Sequence, residues 1–149
     1  WNMDDSRAPL FFQRAVSTLM TFSQFDVYFP SYLVSSIPNA PWSACIEECR
    51  VQSFGPVTYS SLSQGIGSPH SAPVWRASLH ELHGVFNPNY KVVGDREFWL
   101  RVARAGHLFF EAPLPSAVHI ERQDSISFDN PLARAEWRAL MSELHRNSV

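Results

Sequence analysis

The sequence has no long apolar run, no surplus of positive charge and almost no cysteine. None of its apolar stretches approaches the roughly 20 residues that span a bilayer, so we expect no transmembrane segment. The first residues lack the charged and apolar regions of a signal peptide. The formal net charge is −2 and Lys91 is the only lysine, which leaves no basic field for nucleic acid or an anionic membrane. We therefore expect no nucleic-acid partner.

The two cysteines, Cys45 and Cys49, lie four residues apart in "ACIEEC". On a helix this spacing leaves their Cβ atoms about 5 to 6 Å apart. That is longer than the usual separation in a disulfide. Two thiols without a second pair also make a poor zinc site. Reduced thiols are the simplest interpretation, and we expect the protein in the cytoplasm or at the cytoplasmic face of a membrane.

The chain has 149 residues, of which 45% are hydrophobic and 17% charged, and this composition predicts a single globular domain over residues 1–149. Helices are predicted over 8–21, within "CIEECRVQSF", over 75–82, from a cap at Gly94 or Asp95 to Gly106, and over 131–146. Strands are predicted in "FDVYFPSYLVS", "HLFFEA" and "SAVHIE". The stretch "GPVTYSSLSQGIGSPHSAP" predicts a long loop. Because helices and short strands interleave, the favoured class is α/β.

Two local patterns give more specific expectations. In the first helix, the predicted buried face consists of apolar residues that recur at helical spacing, namely Phe12, Val16, Leu19 and Met20. The predicted N-cap is Asp5 or Ser6. In the first long strand, Pro30 indicates either an edge position or a break, because proline cannot donate to a sheet ladder.

Several familiar catalytic motifs are absent. "LHELHG" has one residue too few between His80 and His83 for a zinc protease, and these histidines fit better as capping residues at a helix end. There is no Gly-x-Ser-x-Gly elbow and no Gly-rich phosphate loop. A metal-dependent hydrolase built from histidines remains an alternative, and it predicts that His70, His80, His83 and His119 cluster.

The opening segment "WNMDDS" concentrates oxygen ligands. If residues 1–4 end a strand, Asn2 and Asp4 point to one face, and the carboxylates of Asp4 and Asp5 crowd the carboxyl edge of the sheet. Open α/β sheets bind ligands at that edge. Mg²⁺ and Mn²⁺ prefer such oxygen ligands. The alternative is that Asp5 and Ser6 only cap the following helix.

Three stretches occur in the order and spacing seen in family 2 glycosyltransferases: "WNMDDSRAPLFFQRAV", "SAPVWRASLHELHGVFNPNY" and "VVGDREFWLRVARAGHLFFEAPLPSAVHIERQDSIS". The chain resembles this family over most of its length. The resemblance implies a partial GT-A fold, with a mixed sheet flanked by helices. It also implies an N-terminally truncated domain that lacks the nucleotide-binding half.

The resemblance implies roles for specific residues. Asp95 matches the family's catalytic base, with Gly94 in place of the usual Glu before it. The segment Asn2-Met3-Asp4-Asp5 is similar to the family's Asp-x-Asp-Asp metal motif, with Asn2 in place of the first Asp. His119 falls where the family often carries a polar residue near the metal and diphosphate. The implied metal ligands are therefore Asn2, Asp4, Asp5 and His119.

The remaining implied residues concern the substrates. Arg122 and Ser125 fall near the donor phosphates, and Trp75 and Arg76 near the donor-sugar and acceptor pocket. The implied reaction is an inverting transfer of a sugar from a nucleotide-diphosphate sugar to a glycan, lipid or protein acceptor, with Mn²⁺ or Mg²⁺. The alternative is a non-catalytic carbohydrate-binding or scaffold domain derived from the same fold.

The chemistry of this reaction gives a geometric expectation. An acceptor hydroxyl must lose a proton as it attacks, which requires a carboxylate within about 2.6 to 3.2 Å. The leaving diphosphate needs charge neutralisation, which a metal ion provides. We therefore expect Asp95 at the start of its helix, across a cleft from Asp4, at about the width of a sugar.

Overall fold

The computed structural model describes residues 6–37, 42, 50–53, 55–69, 72–120 and 130–146. Within these ranges the strands are β1 Ser6–Arg7, β2 Phe25–Ser35, β3 Arg50–Gln52, β4 Val74–Trp75 and β5 Leu108–Ile120. The helices are α1 Phe11–Thr21, α2 Tyr59–Ser63, α3 Ser78–His83, α4 Gly94–Arg104 and α5 Pro131–Arg146. The expected α/β class is confirmed.

One mixed sheet organises the described part of the chain. Its centre is the parallel pair β2 and β5, which runs with two register shifts from Phe25 opposite Leu108 to Ser35 opposite Ile120. Strand β1 lies antiparallel on the far side of β5, and β3 and β4 lie antiparallel along the other side of β2. Because β2 and β5 are parallel, both begin at one edge of the sheet and end at the opposite edge.

In the described ranges no helix has both the length and the apolar character needed to cross a membrane.

Pro30 lies inside the central strand β2, which runs unbroken from Phe25 to Ser35, so the edge position was wrong and the strand does not break there. On one side of β2, pairing with β4 ends at Tyr28 and pairing with β3 begins at Tyr32. On the other side, the register shifts between Pro30 and Tyr32, where residues 113–116 of β5 bulge opposite Ser31. Pro30 itself pairs with Ala112, and the irregularity in the ladder follows directly after it. The two predicted strands around this bulge form the single strand β5.

The predicted buried face of α1 was wrong at three of its four residues. The helix buries Phe11, Ala15 and Leu19. The other three predicted core residues are exposed: Phe12 at 48%, Val16 at 49% and Met20 at 75%. The segment carries apolar residues on two adjacent faces, and packing against Tyr28 and Ala112 selects one of them. Sequence periodicity alone does not distinguish the two.

Ser6 is not the N-cap of α1, because it belongs to β1 and its backbone pairs with Val118. The N-cap is Leu10, which has a left-handed backbone with φ 61° and makes no side-chain capping bond. Asp5, the other predicted cap, lies outside the described residues.

Three other predicted elements need correction. The helix predicted over 75–82 begins only at Ser78, since Trp75 pairs with Val27 as part of β4. The helix predicted in "CIEECRVQSF" was wrong at its end, because Arg50–Gln52 forms β3. The predicted loop contains helix α2, whose first turn is capped by Thr58 through a capping box with Ser61.

Helix α4 packs against the sheet through its buried face. Phe98 and Val102 are fully buried, in one cluster with Val27 and Phe29 of β2. The predicted helix over 131–146 is confirmed as α5, and its Leu140 joins the same cluster. The core thus fixes α4 between the sheet and α5.

Candidate functional site

Asp95 lies in the first turn of α4 and its side chain is exposed. Its Oδ1 accepts a hydrogen bond from the Arg96 N–H at 2.7 Å. The N-cap of the helix is Val93, so Asp95 is not the cap. The residues that follow it, Glu97 to Leu100, are all buried. The carboxylate is therefore presented to solvent from the end of a helix that is anchored in the core.

The turn before Asp95 is held by a buried carboxylate on α5. Glu136 accepts hydrogen bonds from the N–H groups of Lys91, Val92 and Val93 at 2.8, 2.8 and 3.1 Å. Burial alone would raise the pKa of Glu136, but these three backbone hydrogen bonds and the charge of Lys91 outweigh it and leave the pKa below its ordinary value. Glu136 thus stays ionised against the turn.

Sequence reasoning missed Glu136, although the sequence held a signal for it. Ala133, Glu136 and Leu140 recur at helical spacing and form the buried face of α5. A glutamate on an apolar stripe needs hydrogen-bond donors to compensate for its burial. The donors are a consecutive run of backbone amides, which no side-chain motif reveals.

Two further contacts join α5 to the start of α4. The Arg96 guanidinium lies over the Trp137 ring at 5.2 Å from its centroid. The Tyr90 hydroxyl donates to Glu143 at 3.1 Å. Burial first, and then the hydrogen bond that the hydroxyl donates to Glu143, raise the pKa of Tyr90 to about 12. Helix α5 therefore supports the position from which Asp95 projects.

Trp75, predicted to lie near the substrate pocket, is half-buried in an aromatic cluster. Its Nε1 donates to His80 Nε2 at 3.2 Å, and its ring meets Phe98 and Trp99 at centroid distances of 6.5 and 5.4 Å. His80 Nδ1 lies 3.1 Å from the Gly84 carbonyl oxygen. With Nε2 accepting from Trp75, the neutral ring donates from Nδ1 to Gly84. The cluster fixes the indole against α4.

Arg76 makes contacts within the fold. Its Nε donates to the Phe25 carbonyl at 3.2 Å and lies 3.6 Å from Asp26 Oδ1, and a terminal nitrogen donates to the Leu19 carbonyl. Its backbone N–H also donates to the Asp26 carbonyl at 3.0 Å. The guanidinium therefore joins the end of α1 to the start of β2.

His119 is the one predicted metal ligand within the described residues. It is half-buried near the end of β5, opposite Val34, and its ring meets Tyr32 at 5.8 Å. Strand β1 brings Ser6 opposite Val118, the residue before it. The other predicted ligands and the phosphate contacts lie outside the described residues: Asn2, Asp4, Asp5, Arg122 and Ser125. The expected separation of Asp95 and Asp4 therefore stays a prediction.

A second group of polar side chains lies at the sheet edge where β2 and β5 begin. His107 Nδ1 lies 2.8 Å from Asp26 Oδ2, and His107 Nε2 lies 2.8 Å from His83 Nε2. Sequence reasoning did not predict this triad, because its members come from three separate segments. In the part of the chain that the structure describes, no three His, Cys, Asp or Glu side chains form a metal-binding group.

This arrangement bears on the hydrolase alternative. His83 contacts His107, which directly precedes β5, whereas His119 lies near the other end of that strand. His80 bonds to Trp75 and to the Gly84 carbonyl. His70 lies outside the described residues. The three described histidines thus do not form the cluster that the alternative requires.

A shallow depression on α1 contains none of the predicted site residues. Its lining is Leu10, Gln13, Arg14, Ser17 and Thr18.

No protein-family model matches the chain, and a comparison with curated proteins finds no significant match.

Proposed function

We propose that this chain is the acceptor-side part of a GT-A glycosyltransferase domain, in which Asp95 is the catalytic base of an inverting sugar transfer. The observation that carries the proposal is the presentation of Asp95. It is an exposed carboxylate in the first turn of a helix whose next residues are buried. Glu136 fixes the turn before it. A catalytic group needs such support on rigid elements.

The proposed reaction is a single displacement at the anomeric carbon. The acceptor hydroxyl gives its proton to Asp95 as its oxygen attacks that carbon. The bond from the carbon to the nucleoside diphosphate breaks on the opposite side, so the configuration inverts. Asp95 requires an acceptor oxygen within about 2.6 to 3.2 Å. Its exposure leaves room for an acceptor to approach.

The proposal includes Mn²⁺ or Mg²⁺ as cofactor, held by Asn2, Asp4 and Asp5 with His119. Of these residues only His119 belongs to the described part of the chain, where no group of three candidate ligands occurs. A divalent cation would neutralise the negative charge that develops on the leaving diphosphate.

The proposed partners are a nucleotide-diphosphate sugar donor and a glycan, lipid or protein acceptor. Arg122 and Ser125 are proposed to bind donor phosphates. Trp75 and Arg76 are proposed to line the sugar pocket. Trp75 bonds to His80 and Arg76 bonds to the Phe25 carbonyl, so both side chains are held at the sheet edge near α3. In this position they would form part of a pocket wall.

The test is the Asp95→Asn variant of the protein that contains this chain, assayed for sugar transfer with a panel of nucleotide sugars and Mn²⁺. We expect turnover to fall by about 10²- to 10⁴-fold, because general-base catalysis contributes about that factor, with donor binding retained. Glu81→Gln is the matched control, since Glu81 is also an exposed carboxylate in the first turn of a helix. It should leave turnover unchanged.

Two results would contradict the proposal. Unchanged turnover in Asp95→Asn would remove Asp95 from the reaction. An absence of transfer in the wild-type protein with every donor, together with retained glycan binding, would favour the non-catalytic carbohydrate-binding alternative.

A further inference from the structure

Asp26 and His107 are arranged as a carboxylate and a metal-binding histidine commonly are. Metal-binding histidines commonly donate their second ring nitrogen to a carboxylate, which fixes the tautomer and points the first nitrogen at the metal. Here the Nδ1–H of His107 donates to Asp26 at 2.8 Å. The lone pair of His107 Nε2 then faces His83 Nε2 at 2.8 Å and, without an ion, accepts a hydrogen bond from it.

We propose that His83 and His107 together bind one divalent transition-metal ion through their Nε2 atoms, with Asp26 orienting His107. The ion belongs to the class that imidazole prefers, which includes Ni²⁺, Cu²⁺ and Zn²⁺. Water completes its coordination. This site lies at the edge where β2 and β5 begin, away from His119, and it is independent of the glycosyltransferase proposal.

The distance between the two nitrogens suits this class of ion. With metal–nitrogen bonds of about 2.0 to 2.1 Å, two ligands at right angles lie about 2.9 Å apart. The observed separation is 2.8 Å, and the ring planes are inclined at 81°. Right angles between neighbouring ligands occur in square-planar and octahedral centres, which favours Ni²⁺ or Cu²⁺ over a tetrahedral ion.

The backbone around the two histidines is fixed. His83 is the last residue of α3, and its carbonyl oxygen accepts from the Arg101 guanidinium. The His107 N–H donates to the Val102 carbonyl at 3.3 Å. A metal ion would therefore find both ligands already placed, with little ordering left to do.

The electrostatics also permit a cation. Two arginines near the histidine pair are each paired with a carboxylate, which offsets their positive charge. Arg101 donates to both oxygens of Glu97 at 2.6 and 2.9 Å. The Nε of Arg76 lies 3.6 Å from Asp26 Oδ1. Metal binding requires the neutral His83 ring, with its Nε2 lone pair directed at the ion.

An ion can reach the pair from solvent. The His107 side chain keeps 20% of its surface exposed and Asp26 keeps 22%. Gly84 and Val85, which follow His83, are exposed. The site therefore needs no opening of the core.

The experiment is a calorimetric titration of the full chain with Ni²⁺, after its cysteine thiols are blocked. We expect a site that loses at least tenfold in affinity in both His83→Gln and His107→Gln, and about 10- to 100-fold in Asp26→Asn, which removes the charge that orients His107. His145→Gln is the control, because His145 is exposed on α5 and should not change the affinity. Circular dichroism verifies that each variant is folded.

A second measurement does not depend on substitutions. In imidazole ¹H–¹⁵N spectra of the wild-type protein, substoichiometric Ni²⁺ should broaden the signals of His83 and His107 before those of the other histidines. Wild-type affinity in both single variants, or broadening confined to other histidines, would overturn the proposal and leave the pair as a hydrogen bond between two rings.

Discussion

The carboxylate of Glu136 accepts a hydrogen bond from the N–H of Val92 at 2.8 Å, across 44 positions of the sequence. The same carboxylate accepts from the residues on either side of Val92. One buried side chain on α5 thus satisfies three consecutive amides and fixes the turn from which α4 begins. The position of Asp95 depends on this contact.

Replacing Glu136 with Gln should lower the free energy of unfolding by about 2 kcal/mol. The amide keeps one acceptor oxygen, but its NH₂ group faces backbone donors and leaves at least one of them buried without an acceptor. Urea denaturation measures the change. Glu143→Gln is the control on the same helix, because Glu143 is exposed and its bond is to the Tyr90 hydroxyl. An equal loss in both variants would contradict the role of Glu136.

The contribution of Glu136 should also depend on pH. Its pKa in the folded protein lies below the ordinary value of 4.5, so the folded state binds this proton less readily than the unfolded state. The stabilisation is therefore fully present above the ordinary pKa and is lost as the pH falls through the lowered one. The difference in unfolding free energy between wild type and Glu136→Gln should shrink below about pH 4.5. A constant difference across acid pH would contradict the prediction.

The contacts that define the sites are less predictable from sequence than the elements that carry them. Strand β2 and helix α5 match their predicted bounds, because a run of aromatic and β-branched residues and a long amphipathic period are strong local signals. The bond between His107 and Asp26 spans 81 positions, and no local pattern encodes it. The position of Pro30 in a central strand also follows from pairing between distant segments.

Two glycines near the candidate site should respond to alanine in opposite ways. Gly84 ends α3 with φ 74° and ψ −176°, a region that only glycine adopts readily. Gly84→Ala should therefore cost about 1 to 3 kcal/mol. At Gly94, in the first turn of α4, an added Cβ meets its nearest neighbours at 3.7 Å, which is ordinary contact. Gly94→Ala should be neutral or stabilise the fold by up to about 1 kcal/mol.

Thermal and urea denaturation of the two variants provide the comparison. If Gly84→Ala proved as stable as Gly94→Ala, the backbone at the end of α3 would have to differ from the one described. That result would also weaken the metal-site proposal, because Gly84 directly follows His83.

The neighbouring residues Phe11 and Phe12 test which face of α1 is buried. Phe11 is 2% exposed and packs against Tyr28, whereas Phe12 is 48% exposed. Phe11→Ala should therefore cost about 3 to 5 kcal/mol, the usual range for emptying a buried aromatic site. Phe12→Ala should cost less than about 1 kcal/mol, because much of its ring already contacts water. The two variants have the same composition and differ only in the helix face that they alter, so their urea midpoints compare the faces directly. A larger loss for Phe12→Ala would mean that the helix packs on the face that sequence periodicity predicted.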